Sequence, residues 1–127
     1  MPYFETGLFI IISPLKILKM ANTHKIKIKK GYSNGNLKLR PGHTYAKNKE
    51  FIRWIIKAEE VTSIECIDKK SGTDIFATLP HRDGTTTDWI AEIKNDLPDD
   101  CEYVYSITWN GKWGRQVYDP KISVNPT

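Results

Sequence analysis

The sequence predicts an all-β fold, an antiparallel sandwich or barrel, on three observations. After residue 19, apolar and polar residues alternate with a period of two nearly everywhere, which is typical of strands with one buried face. Turn residues recur at short intervals, as they do in all-β domains. No stretch shows helical periodicity with caps over a useful length. Because 127 residues suit one domain, we expect a single core.

Two strands and a tight turn are predicted at the start of this pattern, in the runs HKIKIK and NLKLR. In the first run, Ile26 and Ile28 alternate with lysines, so one face is buried and the other is solvated. The second run alternates in the same way. Between them, Asn34 and Gly35 predict a turn, because both residue types tolerate positive φ.

Four further strands are predicted in the middle of the chain, in the runs EFIRWII, VTSIECI, IFATLP and WIAEI. The polar link KAEE separates the first two. A charged turn, DKKSGTD, and a polar loop, HRDGTTTD, lie on either side of the third. Within the third strand we expect Ile75, Phe76 and Leu79 in the core.

The most regular strand is predicted near the C-terminus, in the run EYVYSITW. Asn110 and Gly111 follow it and predict a turn, and KISVN is the last strand. The inward face of the regular strand is expected to consist of Tyr103, Tyr105, Ile107 and Trp109. Across the chain, the alternation places the following in or near the core: Ile26, Ile28, Leu37, Leu39, Phe51, Trp54, Ile64, Cys66, Phe76, Trp89, Tyr105, Ile107, Ile122 and Val124.

Residues 1–19 differ in character from the rest of the chain. Their apolar run, LFIIISPL, follows a glutamate and precedes two lysines, whereas a secretory signal carries its positive charge before the apolar region. The run is also too short to span a bilayer. We expect translation to start at Met20, residues 1–19 to be an upstream extension, and residues 20–127 to form the domain in the cytoplasm. The alternatives are an atypical export signal or an N-terminal arm.

A mild excess of positive charge, +4 with a pI near 9.0, suits ordinary solubility. Two predicted strands nevertheless concentrate basic residues. A ribbon of this kind can bind an anionic partner, such as nucleic acid, an acidic polysaccharide or a protein. It can equally be a solvated face that discourages edge-to-edge aggregation, which is the interpretation the sequence favours. Aromatic residues do not interleave with the lysines, which disfavours nucleic acid. This lysine ribbon consists of Lys25, Lys27, Lys29, Lys30, Lys38 and Arg40.

Two long segments carry a family resemblance. NLKLRPGHTYAKNKEFIRWIIKAEEVTSIECID contains a short strand ending in Pro, an extended segment, a hydrophobic-x-Trp strand and a further strand. EYVYSITWNGKWGRQVYDPKISV contains a Tyr-rich strand, a loop and a final Ile-x-Val strand. In this order they resemble the cupredoxin, or blue-copper, family over most of residues 26–124. The resemblance implies a single Greek-key β-sandwich, and an immunoglobulin-like sandwich is the alternative.

The copper ligands of that family are a His on a middle strand and Cys, His and usually Met in the loop joining the last two strands. On this chain the first His and the Cys fall at about Thr62 and Ser106, and the window SITWNGKWGR contains no His, Cys or Met. The resemblance therefore implies a copper-free scaffold, and we expect no cofactor. The alternative is a copper-binding or redox protein with unconventional ligands, drawn from His43, His81 and Cys66.

Motifs of catalysis are absent from the sequence, which has no Gly-x-Ser-x-Gly, no phosphate-binding glycine loop and no His-Glu zinc motif. We therefore expect a non-catalytic binding domain with a protein or glycan partner. Its contact surface is predicted in the loop TWNGKWGRQVYD, because tryptophan and arginine are favoured at binding hot spots. The candidates are Trp109, Asn110, Lys112, Trp113, Arg115 and Tyr118, although Trp109 alternatively caps the core.

Overall fold

The computed structural model describes residues 22–126, which contain no helix and hence none that could cross a membrane. The predictions for residues 1–19 and for a start at Met20 lie outside the described residues. Within the described range the chain forms ten strands. These are β1 (Thr23–Gly31), β2 (Leu37–Arg40), β3 (Thr44–Ala46), β4 (Phe51–Ile56), β5 (Val61–Gly72), β6 (Phe76–Arg82), β7 (Trp89–Ile93), β8 (Cys101–Gly111), β9 (Gly114–Tyr118) and β10 (Lys121–Val124).

The strands form two sheets, which confirms the predicted all-β sandwich. The first sheet has the order β2-β1-β4-β7-β6, and the second has the order β3-β10-β8-β5, with β9 also paired to β8. Both sheets are mixed, because β1 runs parallel to β4 and β10 runs parallel to β3. The purely antiparallel pairing expected from the sequence is therefore corrected. The chain passes through β3 in the second sheet before it returns as β4, and such a crossover is what parallel pairing requires.

The core lies between the inward faces of the two sheets, and its largest fully buried side chains are Trp54, Tyr105 and Trp109. The indole N–H of Trp54 donates to the Tyr105 hydroxyl at 3.1 Å, so a polar group of each is satisfied where no water reaches it. The predicted inward face of β8 is confirmed, since Tyr103 and Ile107 are buried together with Tyr105 and Trp109.

Two predicted core residues do not point inward. Leu79 is 71% exposed, because the pairing of β6 with β7 shifts between Thr78 and His81 and breaks the alternation of the strand. Phe51 is half-buried on the outer face of β4, where the alternation buries Ile52 instead. Three more of the predicted residues are partly buried: Leu39, Cys66 and Trp89.

Several strands extend into segments that the sequence marks as turns or loops. β5 continues through most of DKKSGTD, β6 enters HRDGTTTD, and β3 and β9 lie where no strand is predicted. Asn110 and Gly111 belong to β8, so the predicted turn is displaced to Lys112 and Trp113. Gly114, the first residue of β9, then adopts a φ of +86°, a left-handed conformation that glycine adopts at little cost.

Buried tyrosines are expected to make the protein less stable at high pH. Desolvation, aided by Asp68 and Asp74, raises the pKa of Tyr103 to about 12. An unfolded tyrosine ionises near pH 10, so above that pH the unfolded state releases a proton that the folded state retains. The free energy of unfolding therefore falls between about pH 10 and about pH 12. Urea unfolding across this range should show a shallower fall in Tyr103→Phe, and an unchanged fall in the exposed control Tyr45→Phe. Equal slopes in all three proteins would contradict this cause.

Candidate functional site

Two hairpin turns meet at one end of the sandwich. We call this region, residues 30–36 and 111–117, the hairpin end. The turn between β1 and β2 lies against the second sheet, because the buried indole N–H of Trp109 donates to the carbonyl of Gly35 at 3.0 Å. A fully buried side chain of the core thus positions an exposed turn.

Glu60, between β4 and β5, joins the two turns. Its carboxylate accepts the amide N–H of Gly31 at 3.1 Å, and its backbone carbonyl accepts the amide N–H of Lys112 at 2.9 Å. The hydrogen bond from Gly31, then that from its own amide, lowers the pKa of the Glu60 carboxyl. The side-chain amide of Gln116 also donates to the carbonyl of Ser33 at 3.3 Å. The hairpin end is therefore held by hydrogen bonds from both turns.

Exposed apolar side chains concentrate at the hairpin end. Tyr32, Trp113 and Val117 are 39%, 40% and 49% exposed, and they are three of the five large hydrophobic residues exposed in the described part of the chain. The Lys30 ammonium lies 5.5 Å from the ring centroid of Tyr32, and the Lys112 ammonium lies 5.6 Å from that of Trp113. Each ring therefore offers a partner apolar area next to a positive charge.

The six predicted contact residues divide between surface and interior. Lys112 and Trp113 are exposed at the hairpin turn, whereas Trp109 is fully buried and has no surface to offer, which corrects its place in the predicted surface. Tyr118 is partly buried against the core. The remaining two are tied to one carboxylate: Arg115 and Asn110 donate to Glu65 at 3.1 and 3.3 Å. The bonds from Arg115 and then Asn110 lower the pKa of that carboxyl.

Tyr32 and Val117 are surface residues that sequence reasoning misses. Tyr32 lies far from Trp113 in the sequence, and their two turns are joined by hydrogen bonds through Glu60 and from Gln116 to Ser33. Val117 belongs to β9, whose residue types do not alternate between apolar and polar, so the sequence does not mark it as a strand. One local signal was present, since Tyr32 directly precedes the predicted Asn-Gly turn.

The lysine ribbon is assembled as a surface because β1 and β2 pair. Lys27 lies opposite Arg40, and Lys30 lies opposite Lys38. Lys25 precedes Lys27 on the same exposed face of β1, where the intervening residues point into the core. Lys29 is exposed beside these residues at the point where the pairing shifts.

The candidate copper ligands lie in or beside different parts of the two sheets. His43 bonds the hydroxyl of Ser123 at 2.8 Å beside β3 and β10. His81 bonds the carbonyl of Leu79 at 2.8 Å on β6, in the other sheet, and Cys66 lies on β5. Among the described residues no group of three or more His, Cys, Asp or Glu side chains could hold a metal ion.

The two positions at which the resemblance to cupredoxins would place copper ligands do not converge either. Thr62 lies near the Gly111 end of the pairing between β5 and β8, whereas Ser106 lies opposite Asp68, several residue pairs away. The hydroxyl of Ser106 donates to the carboxylate of Asp119 at 2.6 Å. Neither residue offers a thiolate or an imidazole.

A groove of about 520 Å³ opens between β5 and β6. The rings of Phe76 and Tyr103, whose centroids are 4.9 Å apart, form part of its lining. Lys69 and Asp74, also in the lining, form an ion pair at 3.0 Å, and the hydrogen bond from Lys69 lowers the pKa of Asp74. Because these two charges neutralise each other, the groove is a weaker candidate than the hairpin end.

Comparison with known proteins adds no family to these observations. No protein-family model matches the chain, and no curated protein matches it at a significant level. The geometry of the hairpin end and of the lysine ribbon is therefore what indicates a function.

Proposed function

We propose that the protein is a non-catalytic binding domain that contacts a protein or glycan partner through the hairpin end. The observation that carries the proposal is Trp113, whose side chain is 40% exposed at the tip of the β8–β9 hairpin with the Lys112 ammonium 5.6 Å from its ring centroid. An exposed tryptophan buries a large apolar area when a partner binds, and few rotatable bonds lose their freedom.

The rigid support of the hairpin end favours this role. Glu60 ties both turns to each other, and Trp109 ties the β1–β2 turn to the core. A surface already held in one conformation loses little conformational entropy on binding. Tyr32 and Arg115 extend the surface with an aromatic ring and a guanidinium group, and side chains of both types are enriched at binding hot spots.

We also propose that the sandwich is a cupredoxin-like Greek key without copper. Support comes from the Tyr-rich β8, which lies inside the second sheet and is followed by a hairpin and the final strand. The alternative of a copper or redox protein has less support, because its candidate ligands lie apart: His43 precedes β3, His81 is on β6 and Cys66 is on β5.

The proposed surface is tested with the variant Trp113→Ala, and Tyr45→Ala is its matched control. Tyr45 is an exposed aromatic residue on β3, outside the hairpin end. We expect Trp113→Ala to bind a partner roughly 30-fold more weakly, a loss of about 2 kcal/mol as at a binding hot spot. Tyr45→Ala should bind as the wild type does. A printed array of neutral and acidic glycans identifies the ligand, and titration calorimetry then measures its affinity for each protein.

Measuring the free energy of unfolding of each variant distinguishes a loss of binding from a loss of structure. Both substitutions remove exposed side chains, so each variant should unfold within about 0.5 kcal/mol of the wild type in urea. Equal affinity of Trp113→Ala and the wild type for the ligand would refute the proposed surface. So would a loss of the same size in Tyr45→Ala.

A further inference from the structure

The lysine ribbon has few acidic partners. Only Lys30 among its described residues is recorded as acting on a carboxyl: its charge helps to lower the pKa of Glu60, after the larger effects of the hydrogen bonds from the amides of Gly31 and Glu60. The chain has no Asp or Glu between residues 22 and 49, so both strands of the ribbon are free of acids. Within residues 22–126, none of the six ribbon cations forms an ion pair with a carboxylate. Basic residues elsewhere in the same range do form such pairs, namely Arg53, Lys69, Lys70, Arg115 and Lys121.

The ribbon also places like charges against each other. Lys27 opposes Arg40 and Lys30 opposes Lys38, and like charges directly opposite in a sheet are destabilising. Lysines that protect a sheet edge from aggregation would explain the charges on β2, which is the edge strand. They would not explain Lys25 and Lys27, because β1 is an interior strand between β2 and β4. A bound anion would relieve the repulsion along both strands.

The neighbouring acids of the first sheet are already engaged. Arg53 on β4 pairs in register with Lys25, and its guanidinium donates to Asp83 at 2.6 Å and to Asp88 at 2.8 Å. Both carboxylates are therefore bonded to Arg53 and not to a ribbon cation. The positive surface ends at β4, so it is a strip two strands wide.

The character of the strip restricts its ligand. β1 and β2 carry no exposed large hydrophobic side chain, and one exposed ring, that of Tyr32, lies beside Lys30 at their end. The two strands therefore offer no row of aromatic rings on which successive single-stranded bases could stack, and no central apolar cluster for a protein interface. β1 has β4 on its other side, so the two strands are not a free ribbon that could enter a DNA groove. The strip suits a linear chain whose charges repeat along its length and whose apolar surface is small.

We propose that the lysine ribbon binds an acidic polysaccharide, a chain bearing sulfate or uronate groups, laid along β1 and β2. Outward side chains recur about every 6.6 Å along a strand and about 4.8 Å across strands, so successive anionic groups of one chain can each reach an ammonium group. The ribbon shares Lys30 with the hairpin end but does not include Trp113. Lys27 and Arg40 lie outside the hairpin end, so a test on these two residues does not depend on its proposed role.

Heparin, a sulfated uronate polysaccharide, is the probe for this proposal. The full chain is titrated with heparin oligosaccharide at several salt concentrations, alongside the variant Lys27→Gln/Arg40→Gln. The control Lys47→Gln/Lys49→Gln removes the same charge from the loop between β3 and β4. We expect the ribbon variant to bind about tenfold more weakly and to show a smaller dependence of affinity on salt, because two ionic contacts are lost. The control should retain most of the wild-type affinity.

Thermal unfolding of the ribbon variant separates loss of binding from loss of structure. Removing an opposed like-charge pair should leave the melting temperature equal to or above that of the wild type. Three results would overturn the proposal: no heparin binding at low salt, an equal loss of affinity in the control variant, or tighter binding of duplex DNA or single-stranded RNA than of heparin through the same residues.

Discussion

Replacing Gly111 with alanine is expected to lower the free energy of unfolding by about 3 kcal/mol, the upper part of the range for overpacked sites. An added Cβ would press against the backbone carbonyl of Glu60, closer than real Cβ atoms approach. That carbonyl is held in place because it accepts the amide N–H of Lys112 at 2.9 Å. The clash involves backbone on both sides, so no side-chain rotation relieves it.

Gly114→Ala is the matched control for Gly111→Ala. Both glycines border the same hairpin turn, and they pair with each other. A Cβ at Gly114 meets nothing within 4 Å, but its φ of +86° costs an alanine about 1 kcal/mol. Urea unfolding should therefore show a much larger loss for Gly111→Ala. Equal losses in the two variants would mean that backbone conformation, and not the approach of Glu60, determines the need for glycine.

The two Asn-Gly pairs show where sequence reasoning succeeds and where it fails. At Asn34 and Gly35 the predicted turn is present, with a φ of +98° at the glycine. At Asn110 and Gly111 the chain instead continues as a strand, because the glycine makes room for a carbonyl from another part of the chain. A glycine needed for turn conformation and a glycine needed for close approach look the same in a sequence.

The strands that the sequence predicts best are those in which apolar and polar residues alternate most regularly. β1 and β8 bury every second residue over most of their length, and both were predicted with the correct faces. β3 has only three residues, and β9 is mostly exposed along its length, so neither carries a period-two signal. Residue types predict Leu79 inward, because they do not reveal the irregular register of this edge strand.

The candidate surfaces depended on pairing to different degrees. The lysine ribbon is formed by the β1–β2 hairpin alone, and local patterning predicts that hairpin. The residues of the ribbon can therefore be identified from the sequence. The hairpin end combines the turns of Tyr32 and Trp113, which are joined by hydrogen bonds to Glu60 and between Gln116 and Ser33. None of these bonds can be read from the sequence. Trp109 and Trp113 are indistinguishable as residue types, and only the register of β8 makes the first a core residue and leaves the second exposed.

Trp109→Ala is expected to lower the free energy of unfolding by about 3–5 kcal/mol, as for other fully buried tryptophans. The side chain is 0% exposed and its ring contacts Gly31, so truncation leaves a large cavity beneath the hairpin end. The milder variant Trp109→Phe removes the indole N–H and leaves the buried carbonyl of Gly35 without its donor, at a cost of about 1–3 kcal/mol.

Trp113→Phe provides the comparison, because it changes an exposed tryptophan on the same hairpin by the same atoms. Its unfolding free energy should stay within about 0.5 kcal/mol of the wild type. Hydrogen exchange at the amide of Gly35, which donates to the carbonyl of Tyr32 at 2.9 Å, should accelerate in Trp109→Phe and not in Trp113→Phe. If exchange at Gly35 were unchanged in Trp109→Phe, the buried indole would not be what positions the turn. The hairpin end would then owe its rigidity to Glu60 and Gln116 alone.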